Sequence, residues 1–226
     1  MTNTLHRFGD AASFQDDYVV FAIASKGRND GTSLPKLRRF LQIAIEYGPV
    51  NLGDARHGGA LRPSRSMNPL AHWNRDIKPD FQAVIDGLDH PTTCAAVFDN
   101  RPAAEDFIKR LKEEDLGMSI NISTSIEGAE QCCHHSCLRR HSVGYSLGFE
   151  GPTEKLPASN VLMLSTMCGH GMVSHSMARK IIDWVKEGRR TPEQAVTYLA
   201  RFCSCGVFNP SRAKRLLEAA IRQMTE

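Results

Sequence analysis

The stretch that decides the fold is Tyr18-Val-Val-Phe-Ala-Ile-Ala24, followed by Ser25-Lys-Gly-Arg-Asn-Asp-Gly31 and then by Leu34 to Tyr47. The first is a continuous apolar run of strand length, and the second is a loop rich in turn formers. The third carries Leu37, Phe40, Leu41, Ile43 and Ala44 at helical spacing, with Pro35 in the opening turn. A continuously apolar strand feeding an amphipathic helix is the start of a β-α-β crossover.

The same alternation continues outward. Gly48 to about Lys78 reads as irregular and polar, with Gly53, Gly58 and Gly59 and several arginines. Phe81 to Leu88 reads as a short helix and Thr92 to Phe98 as an apolar strand. Arg101 to Glu114 reads as an amphipathic helix with Phe107, Ile108 and Leu111 on one side. Gly117 to Ser123 alternates with period two and reads as a strand. Glu127 to Arg140 is expected to be a helix and Ser159 to Ser165 a further strand. Helices are expected at Ser174 to Glu187, after the cap Thr191-Pro-Glu-Gln194, and from Asn209-Pro-Ser211 onward. The expected class is therefore α/β, a mainly parallel sheet flanked by helices, with a helical C-terminal extension. Residues 1–226 are expected to form one domain, whose segment from about 175 to 226 completes a metal site.

Composition narrows the function classes. Hydrophobic residues are 41% and charged residues 23%, which excludes a disordered chain, a collagen-like fibre and a disulfide-rich miniprotein. The apolar runs fall far short of the roughly 20 residues that span a bilayer, so no membrane is expected. No basic stretch followed by an apolar one opens the chain, and a cytoplasmic location is expected. The net charge of +3 is too balanced to imply nucleic-acid binding. Neither a Gly-x-Gly-x-x-Gly fingerprint nor a Walker-type Gly-Lys-Ser/Thr occurs, so no nucleotide is implied.

The seven cysteines carry the chemistry. Cys94 lies alone in an apolar strand and reads as a buried core thiol. The other six fall in three clusters: Cys132-Cys-His-His-Ser-Cys137, Met167-Cys-Gly-His-Gly-Met172 and Phe202-Cys-Ser-Cys-Gly206. In a reducing compartment such spacing points to metal or thiol chemistry rather than to disulfides. If the first cluster is helical, Cys133 and Cys137 share one face, while vicinal Cys132 and Cys133 cannot easily share an ion. Cys168 and His170 are expected where a parallel strand ends and a helix begins, the edge at which α/β sheets bind ligands.

The joint expectation is one centre gathering thiolates from Cys133, Cys137, Cys168, Cys203 and Cys205. Soft thiolates select zinc, copper(I) or iron–sulfur clusters. The absence of Cys-x-x-Cys pairs speaks against a structural zinc knuckle and for a [4Fe–4S] cluster, with zinc as the alternative. Three cysteine ligands leave one iron open, which suits a lyase, dehydratase or desulfidase acting on a small anion. Arg56, Arg62 and Arg65 offer guanidinium forks for that anion, and Ser123 and Ser125 offer hydroxyls before a helix. The bland readings are solvated arginines and an ordinary helix cap. His170 is the candidate for acid–base work. The competing expectations are a zinc, copper or sulfur delivery protein without turnover, and a thiol enzyme with Cys168 as nucleophile. The oligomeric state is left open by the sequence.

Overall fold

The computed structural model describes residues 5–62, 79–144 and 148–222. Its strands are β1 Tyr18–Ile23, β2 Asn51–Asp54, β3 Gly58–Gly59, β4 Thr93–Phe98 and β5 Ser119–Ser123. Its α-helices are α1 Ser33–Glu46, α2 Phe81–Asp86, α3 Arg101–Glu114, α4 Ile126–His135, α5 Ser159–Ser165, α6 His175–Lys186, α7 Pro192–Ala200 and α8 Pro210–Arg222.

The expected parallel sheet is overturned. The five strands form one sheet in the order β3-β2-β4-β1-β5, and every neighbouring pair is antiparallel. The physical reason lies in what a crossover constrains. Helix α1 joins β1 to β2 and helix α3 joins β4 to β5, so each joined pair runs the same way. Neither joined pair is adjacent, because β4 fills the slot between β1 and β2, and β1 fills the slot between β4 and β5. Interleaving two split β-α-β units in this way makes every contact antiparallel. This ferredoxin-like connectivity is a statement of topology and carries no function.

A second expectation also fails. Ser159–Ser165 is a helix, not a strand. Its buried residues Val161, Leu162, Leu164 and Ser165 crowd one short segment, so neither periodicity shows. Leu162, Met163 and Leu164 are good helix formers, and only Val161 is β-branched.

The sheet is covered on both faces. Tyr18, Val20, Ala22, Cys94, Ala96 and Phe98 face one way, against Leu37, Phe40 and Leu41 of α1 and Phe107, Ile108 and Leu111 of α3. Phe107 is the hub of that layer, its ring 5.3 Å from that of Phe40 and 5.1 Å from that of Phe98. Val19, Phe21, Ile23, Ala95 and Val97 face the other way, onto α5, α6, α7 and α8. Side chains alternate across a strand, so a fully apolar β1 requires both layers. The C-terminal helices are therefore the second cover of the sheet.

A buried charge group ties that cover down. Arg212 of α8 and Asp17 are both fully buried, with Arg212 Nη1 2.9 Å from Asp17 Oδ2. Arg7 donates to the same carboxylate oxygen and also to the carbonyl of Ser123. One short N-terminal segment thus links β5, the entry to β1 and α8.

Candidate functional site

The site is made by two turns, each following a helix of the second layer. After α5 the chain turns through Thr166–Gly169, with Gly169 N–H donating to the Thr166 carbonyl at 2.8 Å. Gly169 has φ +75°, and a Cβ there would fall 2.7 Å from Leu5 Cα. Only glycine lets the N-terminal segment cross so closely, and His6 N–H donates to the Gly169 carbonyl at 3.0 Å. After α7 the chain turns again, with Cys203 N–H donating to the Ala200 carbonyl.

The second turn is seated on the β2–β3 hairpin by glycine contacts. Gly206 has φ +75°, and a Cβ there would lie 2.6 Å from Gly53 Cα. A Cβ on Gly59 would lie 2.5 Å from Gly206 Cα. Three glycines therefore let backbone rest directly on backbone, which fixes the Cys203–Gly206 turn against the sheet.

These turns bring four soft donors together. Cys168 lies near enough to Cys203 and His170 for both to shift its titration. Cys203 is coupled in the same way to Cys168 and Cys205. Cys205 Sγ stands 3.3 Å from His170 Nδ1, a contact of hydrogen-bond length that joins the two turns. Cys168 is 1% exposed and Cys203 3%, whereas Cys205 is half-buried and His170 is exposed. The group is thus sealed at Cys168 and Cys203 and open to solvent at Cys205 and His170. The interaction with Cys203, then burial, pushes the Cys168 thiol up to about 12, while the interaction with His170 pulls the other way. At Cys203 the interaction with Cys168 lowers the value, but the interaction with Cys205 and burial outweigh it and leave it at about 12. Both are therefore neutral thiols at physiological pH.

The remaining sequence candidates divide. Arg62 lies beside the second turn: a Cβ on Gly58 would meet Arg62 Cδ at 2.7 Å and the Ser204 carbonyl oxygen at 3.5 Å. Arg56 is exposed, and its backbone N–H donates to the buried Asp54 carboxylate. Arg65 lies outside the described residues. Ser125 caps α4, its hydroxyl accepting from Gly128 N–H at 3.0 Å. Ser123 is engaged through its carbonyl and hydroxyl by Arg7.

The first cysteine cluster sits in the other layer. Cys132 is fully buried with Phe107 and Leu111, on the α1/α3 face of the sheet. Helix α4 ends at His135, so Cys133 and Cys137 do not share a helical face. Cys137 is exposed and left-handed at φ 49°, its carbonyl accepting from Lys112 of α3. The sheet therefore stands between Cys132 and the Cys168–Cys203 pair. None of the seven cysteines is in a disulfide. Among the described residues no group of three or more His, Cys, Asp or Glu side chains is arranged to hold a metal ion.

Sequence reading missed the seat and a neighbouring pair. Gly53, Gly58 and Gly59 were visible as glycines, but their partner Gly206 is 147 positions from the nearest of them. Asp54 and His57 form the missed pair: the fully buried Asp54 carboxylate holds His57 Nδ1 at 3.2 Å, and His57 Nε2 stands 3.3 Å from Asp89. Their three-residue spacing in a turn was the available signal. No family model, curated protein or solved structure matches the chain.

Proposed function

We propose that the protein holds one soft metal ion, zinc, on Cys168, Cys203, Cys205 and His170, as a metal-binding or delivery protein without turnover. The carrying observation is the 3.3 Å contact between Cys205 Sγ and His170 Nδ1, which joins two turns far apart in sequence, with the buried Cys168 and Cys203 thiols coupled to it. Each turn supplies two donors, Cys168-x-His170 and Cys203-x-Cys205. Three thiolates and one imidazole are a standard tetrahedral zinc set.

The 3.3 Å approach of Cys205 Sγ to His170 Nδ1 favours a single ion over a cluster. Donors at about 2.0–2.3 Å around one tetrahedral zinc are about 3.3–3.8 Å from each other, which is contact distance. Thiolates on separate irons of a cube stand well beyond contact. Both turns follow helix C-terminal ends, where partial negative charge favours a cation and disfavours a bare thiolate. Four protein donors complete zinc's shell, and that is the reason for assigning no turnover. The exposed His170 is the donor an acceptor would displace. Burial and a thiol pKa of about 12 argue against Cys168 as a nucleophile. Seven free cysteines accord with a cytoplasmic location. No described helix is long and apolar enough to cross a membrane.

A second reading keeps the iron–sulfur enzyme expected from sequence. It is favoured by the count of three thiols, which would leave one iron open, and by Arg62 beside the turn for a small anionic substrate.

Metal analysis of protein purified without oxygen tests both. One zinc per chain, lost in Cys168→Ser and in Cys205→Ser but kept in Cys94→Ala, supports the first reading. About four irons per chain after anaerobic reconstitution, with broad absorbance near 400 nm, replaces it with the second. Stoichiometric binding of neither metal rejects both.

A further inference from the structure

We propose that β5 is a dimerisation edge, pairing antiparallel with β5 of a second copy of this chain about a two-fold axis through Asn121. The inference is independent of the metal site.

β5 is an outer strand of the sheet, and among the described residues no strand pairs with its outer side. Outer strands are normally blunted by short length, charge, proline or a bulge. The opposite edge, β3, is blunted in this way: it has two residues, both glycine. β5 itself has none of these devices, and Arg7 engages only its last residue, at the Ser123 carbonyl and hydroxyl. It is five residues long and keeps an unbroken register with β1 from Ser119 to Ser123. No charged residue and no proline occurs from Gly117 to Ser125. All five strand residues remain part-exposed although helices cover the sheet.

The sequence of the edge points to the occupant. Ser119-Ile-Asn-Ile-Ser123 reads the same in both directions. Two-fold antiparallel pairing centred on Asn121 sets Ser119 opposite the partner's Ser123, Ile120 opposite the partner's Ile122, and Asn121 opposite its own copy. A closed two-fold dimer needs such a self-complementary patch. The faces match as well. Ile120 and Ile122 pack on the α1/α3 layer. Ser119, Asn121 and Ser123 lie opposite Ile23, Phe21 and Val19 of β1 and share their face. Pairing therefore continues apolar against apolar on one side and polar against polar on the other, giving a ten-stranded sheet across the dimer. No other register matches every pair.

Sedimentation velocity over a concentration series tests this. The native protein is expected to show a monomer–dimer equilibrium. Asn121→Lys sets two like charges directly opposite, and should weaken the dimer at least about tenfold while leaving the circular-dichroism spectrum unchanged. Asn121→Glu should do the same, and an equimolar mixture of the two should recover a heterodimer. Should either charged variant fail to fold, Asn121→Cys replaces them. Directly opposed residues have Cα atoms about 4.5–5.5 Å apart, within disulfide reach. Peptide mapping after mild oxidation should then find a link joining position 121 to itself. A native protein that stays monomeric at every concentration overturns the proposal. A dimer indifferent to both charges, or a missing self-link at position 121, also overturns it.

Discussion

Lowering the pH should strip the proposed metal centre steeply, and the size of the effect follows from burial. Cys168 and Cys203 are 1% and 3% exposed, and both thiols sit at about 12. Between pH 6.5 and 7.5 the metal-free site therefore holds both protons essentially in full. A metal ion binds thiolate, so each of these two protons must leave on binding. Two protons released per ion make the apparent association constant rise a hundredfold per pH unit, about 2.7 kcal/mol per unit. The assay is anaerobic competition against a chromophoric chelator at pH 6.5, 7.0 and 7.5, corrected for the chelator's own protonation. A weakly buffered dye experiment should count two or more protons released per ion. An affinity changing less than about tenfold per unit, or fewer than two protons released, would refute the assignment of Cys168 and Cys203 as ligands, since a site on exposed histidine and carboxylate releases few protons near neutrality.

Four further outcomes are expected. Stability of the metal-free protein should fall above pH 9. Cys94, Cys132, Cys168 and Cys203 all titrate well above their ordinary value when folded, so the unfolded chain loses these protons first, at about 5 kcal/mol per pH unit until the folded thiols themselves titrate; denaturant midpoints at pH 7, 9 and 10 that do not move would contradict this. Asp17→Asn leaves Arg7 and Arg212 buried without a carboxylate and should cost about 3–5 kcal/mol by urea titration, with the Arg212→Met double variant recovering part of the loss. Cys133→Ser and Cys137→Ser, in the other layer, should leave metal content at the native level by elemental analysis. Chelation should raise hydrogen exchange in segments 166–171 and 201–207 and leave α1 and α3 unchanged; uniform change would mean the ion holds nothing local.

Much of the local structure was legible because it is written in local patterns. Helix α3 begins and ends where its apolar spacing places it, between Asn100, whose side chain accepts from Ala103 N–H, and left-handed Asp115. The box at Thr191 and Gln194 forms as its spacing implies. Cys94 is fully buried, as its apolar neighbours imply. The sheet was misjudged because alternation of strands and helices fixes the direction of joined strands but not who sits between them. β2 and β3 were hidden by their composition, since Asn51-Leu-Gly-Asp54 and Gly58-Gly59 look like turn residues. They belong in the sheet because glycine is what the Cys203–Gly206 turn needs beneath it.

The cysteine clusters show the same limit more sharply. Their crowding in the last hundred residues made one common centre a natural expectation. Sequence crowding says nothing about which side of a sheet a segment covers. β1 sends Val20 to one layer and Val19 to the other, and the connection after β5 decides the layer of everything that follows. Helix α4 stays on the α1/α3 side with Cys132, and the chain crosses only before α5. The two clusters that do meet share a different property from the third. Each follows a second-layer helix into a turn with a left-handed glycine, Gly169 in one and Gly206 in the other. Cys132 and Cys133 instead lie within a helix, whose own hydrogen bonds hold the backbone. Turn backbone can aim two donors inward from adjacent alternate positions, which an uninterrupted helix cannot, because residues two apart lie on different faces. A left-handed glycine beside an x-separated donor pair was therefore the better signal for convergence than the number of cysteines.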